Sequence, residues 1–223
     1  DLPLARQLLA DLLRQDLGEI GKAHVHMGRA GLYLKQDEWQ DAQRELIQAD
    51  ELFSHFNDPV GWTWVLLSQG NLYSDQGDWS KAIQVYKKAI ELYQGRQDRY
   101  GEAQVLVNLG AAYYAQANWA EATEAYRQSL DIFLEVGDGL SAAMSLGGLG
   151  DILTDLGKYD EAIECYEACR EIFAEAQSIH GQISTLNNLG RVNDAAGNFG
   201  PPSFDQAKFK LGPDNKSITI KLG

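Results

Sequence analysis

The sequence has few cysteines, few prolines and no long hydrophobic run. Its two cysteines, Cys165 and Cys169, are too few for a disulfide framework. Residues 21–180 contain a single proline, Pro59, so this stretch can be helical almost throughout. Apolar runs such as the one that ends at Leu67 last only a few residues, and no signal peptide opens the chain, so the sequence predicts no membrane span.

Positive charge is scarce as well. The 223 residues hold 19 Lys and Arg against 32 Asp and Glu, which gives a formal net charge of −13. Such a surface repels phosphate backbones and anionic lipids, so nucleic acid and membranes are poor partners. With 44% hydrophobic residues, the chain has an ordinary globular composition.

What the sequence does contain is a repeat of forty residues. An aromatic residue, an alanine and a glycine each recur at this interval through most of the chain. The aromatic column is Trp39, Trp79, Trp119, Tyr159 and Phe199, the alanine column is Ala42, Ala82, Ala122 and Ala162, and the glycine column is Gly70, Gly110, Gly150 and Gly190.

Each copy predicts two helices. In one copy, apolar and small residues from Ala103 to Tyr113 recur at steps of three and four, as on one face of a helix. Ala117-Asn118 supplies a turn, and a second helix runs from Trp119 with its own apolar face. We expect Gly110 to face Ala122, because two helices approach closely where side chains are small.

These columns resemble the tetratricopeptide repeat family. The similarity rests on Leu109-Gly110-x-x-Tyr113, on the turn Gly77-Asp78-Trp79, and on Ala82 with Tyr86 and Ala89. The long period is similar to the subgroup of Pins-type polarity adaptors and bacterial signalling proteins. The resemblance implies an all-α, right-handed superhelical solenoid of antiparallel helix pairs. It covers residues 21–199 as four full repeats and the first helix of a fifth, with residues 1–20 as a capping or partial-repeat helix.

The resemblance also implies that the first helix of each repeat lines a concave groove. Asparagines there can hold a peptide backbone, five side chains including Trp64 offer apolar contacts, and aspartates make the groove acidic. The predicted groove residues are Trp64, Leu67, Asn71, Asp75, Gln104, Val107, Asn108, Tyr114, Met144, Asp151, Asp155, Asn187, Asn188 and Arg191. The expected ligand is a basic or amphipathic peptide of a protein partner. The Lys and Arg cluster with which some family members clamp a carboxylate is missing.

The inventory of reactive residues does not favour catalysis. The sequence has no phosphate-binding glycine loop, no His-Glu-x-x-His string and no nucleophile elbow, so we expect no enzyme activity, cofactor or metal. Asp151 and Asp155 are expected to be solvated, without the burial that tunes a pKa. Cys165 and Cys169 are expected to be reduced packing thiols, which favours a cytoplasmic location.

The last residues break the repeat at Pro201-Pro202. Beyond them, Phe209 and Leu211 alternate with lysines and Ile218 and Ile220 flank Thr219, which predicts a two-stranded hairpin within residues 200–223. Such a hairpin is marginal alone and is expected to dock on the last repeat or on another chain. The alternatives are a flexible tail and a chain that is not native beyond Phe199.

Two functions compete. The first is a non-enzymatic adaptor that holds a peptide of another protein. The second is a regulatory or self-association domain of a larger signalling protein, which is consistent with a chain that begins at Asp1 without Met and with a last repeat that lacks a cap. The exposed C-terminal end, or the tail, then predicts homodimerisation.

Overall fold

The computed structural model describes residues 2–197 and the backbone of two short strands at 209–211 and 218–220. Within residues 2–197 the chain forms ten α-helices. They are α1 (Leu2–Leu12), α2 (Gly18–Leu34), α3 (Trp39–His55), α4 (Pro59–Asp75), α5 (Trp79–Gly95), α6 (Arg99–Ala115), α7 (Trp119–Val136), α8 (Gly139–Asp155), α9 (Tyr159–Glu175) and α10 (Ile179–Ala195).

The turns between helices recur every twenty residues. In each turn from α2 to α10 one residue has a left-handed backbone with positive φ, as does Gly197 after α10. Four of these turn residues, at positions 77, 137, 157 and 197, are glycines with φ between 72° and 77°. Ala117 occupies the same place with φ 56°, a conformation that side chains disfavour. The backbone conformation of the turns therefore repeats every twenty residues, half the forty-residue interval of the sequence repeat.

Short polar side chains begin several of the helices. The Asp58 carboxylate accepts hydrogen bonds from the backbone N–H groups of Val60 and Gly61 at the start of α4. Asp138 accepts one from the N–H of Ser141 at the start of α8. Because the first N–H groups of a helix lack partners within it, these caps fix where each helix starts.

The internal contacts divide the chain into two units, residues 1–98 and 99–223. In the first unit, α2 packs on α3, α3 on α4 and α4 on α5. In the second, α6 packs on α7, α7 on α8, α8 on α9 and α9 on α10. Short links make consecutive helices antiparallel. The predicted all-α class of antiparallel helix pairs is thus confirmed in each unit, whereas the domain boundaries at 20/21 and 199/200 stay predictions.

Tyrosine rings fill the space beside the glycine column. A Cβ atom on Gly150 would lie 2.8 Å from the ring of Tyr166, and one on Gly70 would lie 2.3 Å from the ring of Tyr86. Atoms of packed side chains do not approach so closely. A Cβ on Gly110 would likewise meet the ring of Tyr126 at 3.0 Å, and the expected approach of Gly110 to Ala122 stays a prediction. The glycines thus make room for rings.

The two strands after the helices pair as predicted from the alternation of side chains. β1 (Phe209–Leu211) and β2 (Ile218–Ile220) are antiparallel, with Phe209 opposite Ile220 and Leu211 opposite Ile218. The turn between them, and the expected docking of their side chains, lie outside the described residues.

Candidate functional site

The first helix of each pair exposes the positions predicted from the repeat. Six residues before the glycine column, Trp64 is 47% exposed and Met144 is 59% exposed, whereas the residues directly before and after each of them are buried. Five residues after that column, Asp75 and Asp155 are exposed. These side chains are therefore available for a partner, each within its own unit.

The fourteen predicted residues form two surfaces, one in each unit. We call Trp64, Leu67, Asn71 and Asp75 the unit 1 surface, and the other ten the unit 2 surface. Eight of the fourteen are exposed, and these are Trp64, Asn71, Asp75, Gln104, Met144, Asp155, Asn187 and Arg191. The partly buried ones are Leu67, Val107, Asn108, Tyr114, Asp151 and Asn188.

On the unit 1 surface, neighbouring helices hold two of the four side chains in place. The ring of Trp64 meets the ring of His24 edge to face, with 5.8 Å between centroids. The hydroxyl group of Tyr86 donates a hydrogen bond to Oδ1 of Asn71 over 2.8 Å. Burial, together with the charge of Asp37, raises the pKa of the Asp75 carboxyl. This surface combines an apolar ring with a fixed amide and a carboxylate.

On the unit 2 surface, Tyr114 joins α6 to α8. Its hydroxyl group donates a hydrogen bond to Oδ2 of Asp155 over 2.7 Å, and its ring meets the ring of Trp119 edge to face at 5.4 Å. Burial raises the pKa of the Tyr114 phenol, and the hydrogen bond to Asp155 raises it further. Tyr114 therefore stays a neutral donor that fixes the position of the exposed Asp155 carboxylate.

Asp151 departs from the solvated carboxylate that we expect from the sequence. It is partly buried on α8, and the hydroxyl group of Tyr166 on α9 donates a hydrogen bond to its Oδ1 over 2.7 Å. Burial raises the pKa of Asp151, although Tyr166 and the charge of Arg191 oppose that rise. The expectation of an untuned pKa was therefore wrong for Asp151, because the helices α8 and α9 pack around it.

Arg191 brings positive charge from α10 to this cluster. Its Nη1 donates a hydrogen bond to Oδ1 of Asn188 over 3.5 Å, and its charge acts on Asp151, Tyr114 and Tyr166. Hydrogen bonds thus join predicted residues in Tyr114 with Asp155 and in Asn188 with Arg191. We call Tyr114, Asp151, Asp155, Tyr166 and Arg191 the polar cluster of unit 2.

Sequence reasoning missed Tyr166, Tyr86 and His24, which lie beneath or beside predicted residues. Tyr166 and Tyr86 belong to a packing column of the second helices, where a phenylalanine would fill the same volume. A buried tyrosine hydroxyl group usually finds a hydrogen-bond partner. A polar residue directly after a column glycine, as in Gly70-Asn71 and Gly150-Asp151, is the signal that could have revealed these partners.

Other chemistry is not evident in the part of the chain that the structure describes. Cys165 and Cys169 are buried and unpaired with each other, and burial raises the pKa of the Cys165 thiol to about 12. Among residues 2–197, no group of three His, Cys, Asp or Glu side chains is placed to hold a metal ion. The described helices include none with the length and apolar character of a membrane span.

Comparison with known proteins agrees with this architecture. The sequence model of the tetratricopeptide repeat matches residues 19–95, 60–135, 101–175 and 140–201. Comparison with curated proteins gives no match. Among solved structures, BtubC from P. vanneervenii is 20% identical with a TM-score of 0.73, and the match covers 89% of this chain and 81% of that one.

In two further solved structures, the match covers only part of the other chain. A Rap protein complexed with competence and sporulation factor is 20% identical with a TM-score of 0.70, over 81% of this chain and 54% of that one. A signal transduction ATPase with numerous domains from Pyrococcus horikoshii, which has a tetratricopeptide repeat sensor, is 20% identical with a TM-score of 0.66, over 80% and 26%. At these identities the likeness shows the fold alone.

Proposed function

Because the chain belongs to the tetratricopeptide repeat family, we propose that it is a non-enzymatic interaction module that binds a basic or amphipathic peptide segment of a protein partner. The repeats supply exposed first-helix surfaces, which support this proposal. Protein–protein interaction is the coarse function that this fold implies. The peptide, its charge and the surface that holds it are the proposal.

The observation that carries the proposal is the polar cluster of unit 2. Tyr114 holds the Asp155 carboxylate at 2.7 Å and Tyr166 holds that of Asp151 at the same distance. Carboxylates fixed in this way lose little freedom when they accept hydrogen bonds from a lysine or arginine. Met144, exposed two turns before Asp151 on the same helix α8, offers an apolar contact further along the surface. A peptide with a basic and an apolar side chain matches this arrangement.

The net charge of −13 supports the same choice of ligand. An acidic chain attracts basic segments over a distance of about 8 Å at physiological salt, which speeds their encounter with the surface. The Rap protein that shares this fold forms a complex with competence and sporulation factor. A ligand-holding surface on such a repeat array is therefore compatible with the fold.

A second candidate is a regulatory or self-association domain of a larger signalling protein. The signal transduction ATPase from Pyrococcus horikoshii favours it, because that protein has a tetratricopeptide repeat sensor and the present chain matches only 26% of its length. The partner in this case is another domain of the same polypeptide. The unit 2 surface is compatible with either candidate, because the bound peptide segment can belong to another protein or to another domain of the same polypeptide.

Peptide binding to the intact chain tests the leading proposal. Fluorescent peptides of equal length with basic, neutral and acidic composition, each with one leucine, are titrated at low and moderate salt and followed by anisotropy. We expect the basic peptide to bind most tightly and Asp155→Lys to weaken it by about tenfold or more. Asp155→Asn, which keeps an oxygen for Tyr114, is expected to lie in between.

The matched control is Asp131→Lys, which makes the same change of net charge at an exposed site on the second helix α7. If Asp131→Lys weakens the basic peptide as much as Asp155→Lys does, the effect is general attraction and the unit 2 surface is not the site. If the three peptides bind equally, the proposed ligand class is wrong.

A further inference from the structure

The last described helix, α10, exposes apolar side chains at positions that are buried on α8, the equivalent helix one repeat earlier. On α10, Ile183 is 54% exposed and Leu186 is 53% exposed. Forty residues earlier on α8, Ala143 and Leu146 are almost completely buried, at 1% and 0%. The equivalent positions are apolar in both helices but are covered only on α8, so α10 lacks the contact that α8 receives.

The glycine column shows the same difference. The ring of Tyr166 occupies the space beside Gly150, so that a Cβ there would lie at 2.8 Å. Gly190, the next member of the column, is exposed and has no atom within 4 Å of a Cβ placed on it. We call Ile183, Leu186 and Gly190 the α10 face. Beside Gly190, this face leaves open the space that a tyrosine ring occupies beside Gly150.

The second helices of the chain define what fits such a face. α9 packs on α8, and it carries Ala162 and, four residues later, the Tyr166 that fills the space beside Gly150. In unit 1, α5 packs on α4 with the same pair, Ala82 and Tyr86, the latter beside Gly70. The complement of the α10 face is therefore an amphipathic helix with the pattern Ala-x-x-x-Tyr.

The segment that follows in the chain is poorly suited to provide this helix. Residues 198–208 separate Gly197 from strand β1, whereas α9 has 17 residues. This segment also contains Pro201 and Pro202, and proline disfavours the interior of a helix. The segment directly after α10 is therefore not expected to supply the covering helix. Because the chain carries a net charge of −13, a second copy is repelled and a basic or uncharged helix is favoured.

We propose that the α10 face is a docking site for an amphipathic, basic or uncharged helix of a partner protein with the pattern Ala-x-x-x-Tyr. The helix lies on α10 as α9 lies on α8, with its tyrosine ring beside Gly190 and the rest of its apolar face against Leu186 and Ile183. This site is separate from the unit 2 surface, and it does not depend on peptide binding there.

The chain itself supplies the probes for a test. A labelled peptide with the sequence of α5, residues 79–95, carries the Ala-x-x-x-Tyr pattern and has three lysines against one glutamate. A peptide with the sequence of α9 carries the same pattern with a strongly acidic composition. Each is titrated into the intact chain and followed by anisotropy. We expect the α5 peptide to bind, the α9 peptide to bind more weakly, and Tyr86→Ala in the α5 peptide to weaken binding by about tenfold or more.

Gly190→Leu places a side chain in the space for the ring, and the fold accommodates it because nothing lies within 4 Å. Gly147→Leu on α8 is the matched control, since a Cβ at Gly147 also meets nothing within 4 Å. We expect Gly190→Leu to weaken the α5 peptide by about tenfold or more, and Gly147→Leu to leave it unchanged. Circular dichroism verifies that both variants are folded.

Two results would overturn the proposal. One is equal binding of the α5 peptide to the native chain and to Gly190→Leu. The other is concentration-dependent dimerisation in sedimentation velocity that Gly190→Leu abolishes, since a second copy then occupies the α10 face. Binding of basic peptides that responds to Asp155→Lys is unaffected by either outcome, so the two proposals fail independently.

Discussion

Tyr166 on α9 donates a hydrogen bond to Oδ1 of Asp151 on α8 over 2.7 Å, while its ring packs beside Gly150, the residue before Asp151. In unit 1, Tyr86 packs beside Gly70 and donates to Asn71, the residue after it, over 2.8 Å. A single side chain therefore fills the core of a helix pair and fixes a polar group at its surface. Packing of the helix pair and the position of the polar group therefore depend on the same tyrosine.

Removing the Tyr166 hydroxyl group should cost stability. In Tyr166→Phe the ring still packs beside Gly150, but the partly buried Asp151 carboxylate loses its donor. We expect the free energy of unfolding to fall by about 1 to 2 kcal/mol, measured by urea denaturation. Asp151→Asn keeps an acceptor oxygen for Tyr166 and should cost less. Equal losses in the two variants would mean that the charge of Asp151 matters more than the hydrogen bond.

Asp151 and Asp138 should respond oppositely to pH. Burial raises the pKa of Asp151 in the folded chain, so its contribution to stability falls as pH rises above the unfolded pKa of about 3.9. For Asp138 burial acts in the same direction, but hydrogen bonds from Ser141 outweigh it and lower the pKa, so its contribution is lost as pH falls.

Denaturation of Asp151→Asn and Asp138→Asn between about pH 3 and pH 7 tests these signs. Relative to the native chain, Asp151→Asn should gain stability as pH rises and Asp138→Asn should lose it. The same trend in both variants would contradict the assignment.

Two adjacent glycines of α8 should differ in their tolerance of alanine. A Cβ on Gly148 would lie 2.4 Å from Cζ of Tyr126, whereas one on Gly147 meets nothing within 4 Å. We expect Gly148→Ala to cost about 1 to 3 kcal/mol through overpacking. Gly147→Ala should instead stabilise the helix by about 0.5 to 1 kcal/mol. Thermal unfolding of both variants measures the contrast, and similar melting temperatures would argue against the packing described.

The two thiols should be inert in the folded chain. Cys165 and Cys169 are buried, burial raises the pKa of Cys165 to about 12 and that of Cys169 also rises, and Sγ of Cys169 donates to the carbonyl of Ala143 over 3.1 Å. Because the thiolate is the reactive form, iodoacetamide at neutral pH should modify neither residue until denaturant is added. Mass spectrometry counts the labels, and rapid modification of the native chain would contradict this burial.

The sequence predicts the helix pairs well because their signals are local. The aromatic, alanine and glycine columns recur at intervals of forty residues. The structure has turns at predicted positions such as Gly77-Asp78. The alternation around Phe209 and Ile218 likewise predicts the two strands. The family resemblance is confirmed by the match to the tetratricopeptide repeat, whereas its subgroup stays a prediction.

The polar cluster was less predictable, because it depends on how neighbouring helices are offset. Counting from the glycine column places Asp151 on the surface, but it does not show that Tyr166 on the next helix reaches Oδ1. For the same reason the burial that raises the pKa of Asp151 was missed. The roles of the predicted residues in binding remain predictions, which the Asp155 variants test.

The left-handed turn residues recur every twenty positions, so whole repeats can be removed or added at equivalent turns. Ala117 and Gly157 occupy equivalent turns, each directly before the residue that precedes a second helix. Excising residues 119–158 joins the end of one turn to the start of α9, so α6 is followed by a second helix as before. Since each repeat contacts its neighbours, such a shortened protein should keep its helical hairpins, and duplication of the same forty residues should extend them. Evolution and protein engineering can thus vary the number of helix pairs without redesigning a single turn.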